Sequence, residues 1–126
     1  AGASLEAVDF TIVQTFTFHG RRDARSAAVV ARAEKLFNLK GVDQIPSHVG
    51  FAHAYDLTHI LARAVALAGG TNREKVRDAL EQVRNYEGLM GRFARPFSAT
   101  SHEALSPAYL FIGRFNAAGT VVPFTR

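Results

Sequence analysis

The chain has 126 residues, the length of one ordinary domain, and its 48 % hydrophobic and 21 % charged residues are too apolar for disorder. It has no cysteine, which excludes a disulfide framework, a thiol nucleophile and a cysteine-based zinc site. The net charge is +4, but Arg21, Arg22, Arg25, Arg32, Lys35, Lys40, Arg63, Arg73, Lys75, Arg77 and Arg84 are scattered and often flank acids; they form no stripe that would neutralise a phosphate backbone, so no nucleic-acid partner is expected.

Residues 8–18 alternate. Val8, Phe10, Ile12, Phe16 and Phe18 fall on one face, with Gln14 the exception, and Asp9, Thr11, Thr15 and Thr17 on the other, with Val13 the exception. A period of two in β-branched and aromatic residues predicts a strand, which His19-Gly20 ends. Asp23 is placed to cap a helix running to about residue 38, since its carboxylate can accept from a free N–H of the first turn. Val29, Val30, Ala33, Leu36 and Phe37 carry the helical spacing there. Residues 39–47 hold Gly41 and Pro46 and read as a loop.

A second helix is predicted over residues 49–68. Leu57, Ile60, Leu61, Ala64, Val65 and Ala68 make a broad apolar stripe with few polar positions, which predicts burial on more than one side. Gly69-Gly70 stops it, and Thr71 or Asn72 caps a third helix with Val76, Leu80 and Val83 facing inward. Residues 89–93 read as a short strand and 96–107 as turn-rich. Residues 108–115 and 120–124 read as two strands joined by a hairpin turn at 116–119. No run of about 18 apolar residues is present to span a membrane, and no secretion signal precedes Ala1, so processing or truncation is expected to have removed what came before.

Several segments, in order, carry a resemblance: Ala54-Tyr55-Asp56 opening an apolar helix that closes with Ala68-Gly69-Gly70; residues 72–83, NREKVRDALEQV; Tyr86-Glu87-Gly88-Leu89-Met90-Gly91; Phe97-Ser98-Ala99-Thr100-Ser101-His102; and the strand 108–115 followed by a turn and Val121-Val122-Pro123. Together they resemble the last part of the type I periplasmic binding proteins that serve branched-chain amino-acid transporters, where the corresponding motifs read Y-x-G-x-x-G and F-S-P-T-D-H. Residues 8–18 and 23–38 resemble the strand that leaves the second lobe and the helix after it. Ala99 stands where the family has Pro and Ser101 where it has Asp, which loosens the turn before His102.

The resemblance implies an α/β fold, a fragment of a two-lobed periplasmic-binding-protein-like flytrap with a C-terminal β-hairpin. Residues 1–22 would form a second-lobe strand and the approach to the hinge; residues 23–126 would contribute mainly to the first lobe and its hinge crossings. The implied function is to bind a small organic solute, an amino acid or related carboxylate, in the periplasm and deliver it to the membrane permease of an ABC transporter. A ligand-binding sensor or regulatory domain of similar fold is the alternative. Because the segment would be about a third of a full-length binder, it is expected to pair with the missing N-terminal half of the same protein or to form a swapped homo-oligomer.

Candidate site residues follow from two places. Phe16, Thr17 and Phe18 end the first predicted strand, and ligands of open α/β sheets sit beyond strand C-termini. Phe51, His53 and Tyr55 begin the helix that, by resemblance, opens toward the cleft, where an aromatic platform for the solute fits; Phe51 and Tyr55, four apart, suit core packing equally well. Residues 1–5 match a family loop that reaches the ligand. His53, Asp56 and His59 lie within two helical turns, but at three-residue steps the outer two are about 120° apart, so no metal site is expected and the three read as a partly solvated face. Ser98, His102 and Glu103 contain triad residue types as near neighbours on one loop, which rarely gives triad geometry. Gly88 and Gly91 precede no helix N-terminus and read as structural. No enzymatic activity and no cofactor are expected.

Overall fold

The computed structural model describes residues 10–125. The elements in chain order are β1 (Thr11–Gln14), α1 (Ala24–Phe37), α2 (His48–Ala68), α3 (Arg73–Leu80), β2 (Tyr86–Glu87), β3 (Arg92–Phe93), β4 (Phe111–Phe115) and β5 (Val121–Pro123), with single 3-10 turns at Val42–Gln44 and Pro107–Tyr109. The fold is α/β, and its strands form small antiparallel sheets. Two compact units divide the described residues: one of 10–51 with 110–125, the other of 52–109.

The first unit is built on a three-stranded sheet of order β1-β4-β5. Val13 pairs with Ile112 and Thr11 with Arg114, and Arg114 pairs in turn with Val122. The hairpin between β4 and β5 is closed by Asn116, whose Oδ1 accepts from the N–H groups of Ala118 (3.0 Å) and Thr120 (2.9 Å). Helix α1 starts at its expected cap. Asp23 Oδ1 accepts from Ser26 N–H at 2.8 Å, which satisfies one of the free donors of the first turn. It ends at Asn38, in the left-handed region at φ 53° with its N–H on Glu34 O.

The first strand is shorter than the alternation of residues 8–18 suggests. Its ladder stops at Gln14, and residues 8 and 9 lie outside the described residues. Phe16, Thr17 and Phe18 lie outside the sheet: the Thr17 hydroxyl and the Phe18 N–H bond elsewhere, and all three residues are buried. Alternation in a sequence reports burial of every second side chain, and burial here comes from packing around a histidine.

In the second unit α2 buries Ala52, Asp56, Ile60 and Ala64, a stripe at successive i, i+4 steps. Gly69, at φ 68°, ends the helix. Asn72 caps α3, its Oδ1 accepting from Lys75 N–H at 3.1 Å. That helix ends at Leu80 rather than Val83. The strand expected at 89–93 is confined to Arg92–Phe93, and it pairs with a strand the sequence did not announce, Tyr86–Glu87. Glu87 and Arg92 face each other in register and form an ion pair. Leu89 and Met90 are buried in the turn between these strands, which Gly88 N–H to Gly91 O closes at 2.9 Å.

Candidate functional site

In the first unit, the segment after β1 is organised by His48, the first residue of α2. The Phe18 N–H donates to His48 Nδ1 at 3.2 Å, and Nε2 lies 2.8 Å from Val42 O. An amide N–H can only donate and a carbonyl can only accept, so Nδ1 is bare and Nε2 carries the proton. Thr17 Oγ1 lies 3.0 Å from the same Nδ1 and donates to Val121 O at 2.7 Å. One neutral imidazole thus joins the segment after β1 to the 3-10 turn, and the Thr17 hydroxyl beside it ties that segment to β5. Burial holds the His48 imidazole below its ordinary value of 6.5; the Val42 carbonyl opposes this, and the neighbouring His19 adds to it.

Aromatic rings pack around this imidazole. Phe16 meets Phe18 edge-on at 4.9 Å, and Phe18 meets His48 at 5.3 Å and Phe51 at 5.8 Å. His19 Nε2 lies 3.0 Å from Asp43 Oδ1, and the Asn116 side-chain amide donates to the same oxygen at 3.0 Å. That amide is the main reason the Asp43 carboxyl titrates below its usual range. A cavity of about 270 Å³ adjoins the cluster, lined among others by Gln14, Phe16, Asp43, Ser47, His48 and Thr120. Ile12 and Gln14 of β1 also line it, and its polar groups are interspersed among apolar ones.

In the second unit the organising group is Asp56. Its Oδ1 accepts from Leu89 N–H at 2.7 Å and from Tyr86 Oη–H at 2.9 Å, and its Oδ2 from Met90 N–H at 2.9 Å. The side chain is buried, and three donors converging on one carboxylate offset the cost of desolvating it. A Cβ on Gly88 would lie 2.3 Å from Asp56 Oδ1, so the turn closes over the carboxylate only with glycine there. The Arg63 guanidinium covers the Tyr86 ring at 5.1 Å. A second cavity, of about 310 Å³, is lined among others by His53, Leu57, Ile60, Met90, Phe93 and Phe97.

Phe16, Thr17, Phe18 and Phe51 therefore lie in one unit, the first three buried and Phe51 half-buried. His53 and Tyr55 lie in the other, both half-buried. Two positions apart, they leave the helix about 200° apart and belong to different surroundings: His53 lines the cavity, whereas Tyr55 stacks on His59 at 4.2 Å. Asp56 is not the partly solvated carboxylate its surroundings in the sequence suggest, and His59 Nδ1 donates to Tyr55 O at 2.8 Å. Residues 1–5 lie outside the described residues.

The two organising groups, His48 and Asp56, were not recognised from sequence as such. A signal existed for Asp56: it is the only acid in a helix whose other inward positions are Ala and Ile. An acid on a buried stripe must find donors elsewhere in the chain. For His48 no comparable signal exists, because its partners are backbone groups of residues 18 and 42.

Comparison with known proteins places this arrangement. No curated protein sequence matches the chain. Among solved structures it superposes on a type 1 periplasmic binding protein from Bordetella pertussis Tohama I with a TM-score of 0.69 and 17 % identity, over 90 % of this chain and 33 % of that one. It superposes on the leucine binding protein LivK of Thermotoga maritima MSB8 with a TM-score of 0.64 and 16 % identity, over 91 % of this chain and 29 % of that one. The chain thus spans about a third of the length of these proteins, which share its fold. The periplasmic binding protein family itself matches the sequence from residue 1 to residue 120, and the chain belongs to that family.

Proposed function

We propose that the chain is the C-terminal part of a two-lobed extracytoplasmic binding protein that takes up a small organic solute, an amino acid or related carboxylate, and presents it to the membrane permease of an ABC transporter. The observation that carries this reading is the family match across residues 1–120. The likeness to a protein named as a leucine binder agrees with an amino-acid-sized ligand. No helix among the described residues is long and apolar enough to cross a membrane, which agrees with a binder that works through a separate permease. Catalysis has no part in this reading: the polar groups at the centre of each unit are engaged in holding backbone.

In this proposal the half-buried candidates for touching the solute are Phe51 in the first unit and, each on its own face of the helix, His53 and Tyr55 in the second. Phe16, Thr17 and Phe18, buried in the same unit as Phe51, support that ring rather than touch the solute, since their own surfaces are already covered. A thermal-shift screen of the full-length protein against amino acids and aromatic acids tests the reading, because a ligand that binds only the native state raises the midpoint by mass action. Tyr55→Phe and Phe51→Leu, which keep most of the packing, are then expected to weaken the solute that scores. A protein whose midpoint responds to none of these acids does not have this function.

A further inference from the structure

Within the first unit, the sheet and the chain leading into α2 border the cavity of about 270 Å³, which has room for a solute with a single ring rather than for water alone. Its apolar walls are built by Ile12 of β1, Phe115 of β4, Val121 of β5 and Val49 of α2, each half-buried. Phe51, His53 and Tyr55 do not border it, so it is separate from the residues proposed above for the transported solute. Charge decides what it can hold. Asp43 is the one ionised side chain among the described residues that line it. No Lys or Arg does: Arg21, stacked on the Phe16 ring at 4.8 Å, donates to Asp23 and Ser26 instead.

The Asp43 carboxylate is oriented but not used up. Its Oδ1 meets the His19 ring and the Asn116 amide, each at 3.0 Å, and the Thr120 side chain bonds to it as well. With His19 neutral, all three partners are neutral and leave the negative charge in place. A carboxylate offers about four acceptor positions, so one stays open to a further donor. The same bonds fix the walls: Asn116 joins the β4–β5 hairpin to the 3-10 turn, and Thr17 joins the segment after β1 to β5, so little ordering is left for a ligand to bring about. We infer that this cavity is a second ligand site and that it takes a small primary amine. The ammonium meets Asp43, with the Gln14 and Thr120 side-chain oxygens as further acceptors, and a short apolar body lies against Ile12, Val49, Phe115 and Val121. An anionic ligand finds no cation here and meets a like charge, so it is rejected. The inference stands independently of the transport reading.

Benzylamine, benzyl alcohol and benzoate are close in size and differ in charge, so they serve as probes. Each is titrated into the full-length protein at about pH 8, above the ordinary titration range of imidazole. Binding is read at the backbone amide NMR signals of Ser47 and Thr120, so that binding elsewhere is not counted. Benzylamine is expected to shift both signals saturably and to bind at least about fivefold more tightly than benzyl alcohol, while benzoate leaves them in place. Asp43→Asn is expected to bring benzylamine down to the affinity of the alcohol and to leave the alcohol unchanged. Val49→Phe, which fills the apolar end, weakens both. No saturable shift with benzylamine overturns the inference, as does equal affinity for the amine and either other probe. Unchanged amine affinity in Asp43→Asn overturns it too; if that variant does not fold, the three probes compared on the unaltered protein and on Val49→Phe still decide. An acid that raises the midpoint in the thermal-shift screen is expected not to compete with benzylamine. Competition would merge the two sites and overturn the inference, whereas an amine response with no acid response keeps this site and rejects the transport reading.

Discussion

Each unit is organised by one buried polar side chain from the same helix, and the two side chains hold backbone by different chemistry. Asp56 is an acceptor only, and it gathers three donors from Tyr86, Leu89 and Met90. His48 accepts at one nitrogen and donates at the other, so it joins a donor at Phe18 to an acceptor at Val42. A carboxylate can close a turn on itself, because successive N–H groups of the turn all point at it. An imidazole bridges two separate segments and depends on remaining neutral to do so. The second unit is accordingly held by a convergent clamp and the first by a through-bridge.

Removing the convergent clamp has the largest effect. Asp56→Ala removes the acceptor that two buried N–H groups and the Tyr86 hydroxyl share and is expected to cost on the order of 3 kcal/mol or more, read as a lower urea midpoint. Asp56→Asn restores acceptors but presents an NH2 group to donors, so it recovers only part. Gly88→Ala, which places a methyl against the Asp56 oxygens, is expected to cost about 1–3 kcal/mol. Its coupling to Asp56→Ala separates a clash with the carboxylate from a general dislike of a side chain at this turn: if the two costs simply add, the clamp described here is not what glycine serves.

The through-bridge breaks with acid. The folded His48 titrates below 6.5 while the unfolded one titrates near 6.5, so the unfolded state binds more protons between the two values. Stability from this group is complete above about 6.5 and is lost as pH falls from there through the folded value. His19 and Asp43 are the titratable neighbours facing it, and they act in opposite directions. Amide exchange at Phe18 and Ile45 is expected to accelerate as pH is lowered from 7 to 5, beyond its intrinsic change, while Leu89 and Met90 keep their protection. A His48→Asn variant flattens that response in the first unit. Parallel loss in both units would mean that the two clamps do not differ as argued. The smallest effects are at the caps: Asp23→Ala and Asn72→Ala each cost about 1 kcal/mol.

The helices were legible because their signals are local. Asp23 reaches a donor three residues on, as does Asn72, and Asn38 and Gly69 stop their helices by their own backbone conformations. The C-terminal hairpin was legible for the same reason, with Asn116 bonding residues two and four ahead. What was not legible is what depends on distant partners. The departure of Phe16–Phe18 from the sheet requires His48, and the burial of Asp56 requires a turn more than thirty residues downstream. The two-residue strand Tyr86–Glu87 is too short to show any period. Of the proposed site, helix geometry alone sets His53 and Tyr55 about 200° apart, whereas the packing of Phe16–Phe18 beyond the end of β1 depends on a histidine thirty residues away.

The fit of Gly88 over Asp56 also constrains the order in which this sequence can change. While the carboxylate is present, every side chain at position 88 meets it at 2.3 Å, so substitutions there are disfavoured whatever their chemistry. Once position 56 has become a small residue, the space opens and a hydroxyl or amide at position 88 or nearby could take up the donors left behind. The first step is the costly one, and it has to be crossed before any benefit of the second exists. A lineage carrying both residues is therefore held at this pair by history as much as by stability, and a library randomised at both positions at once should recover folded combinations that no single-step walk from this sequence would find.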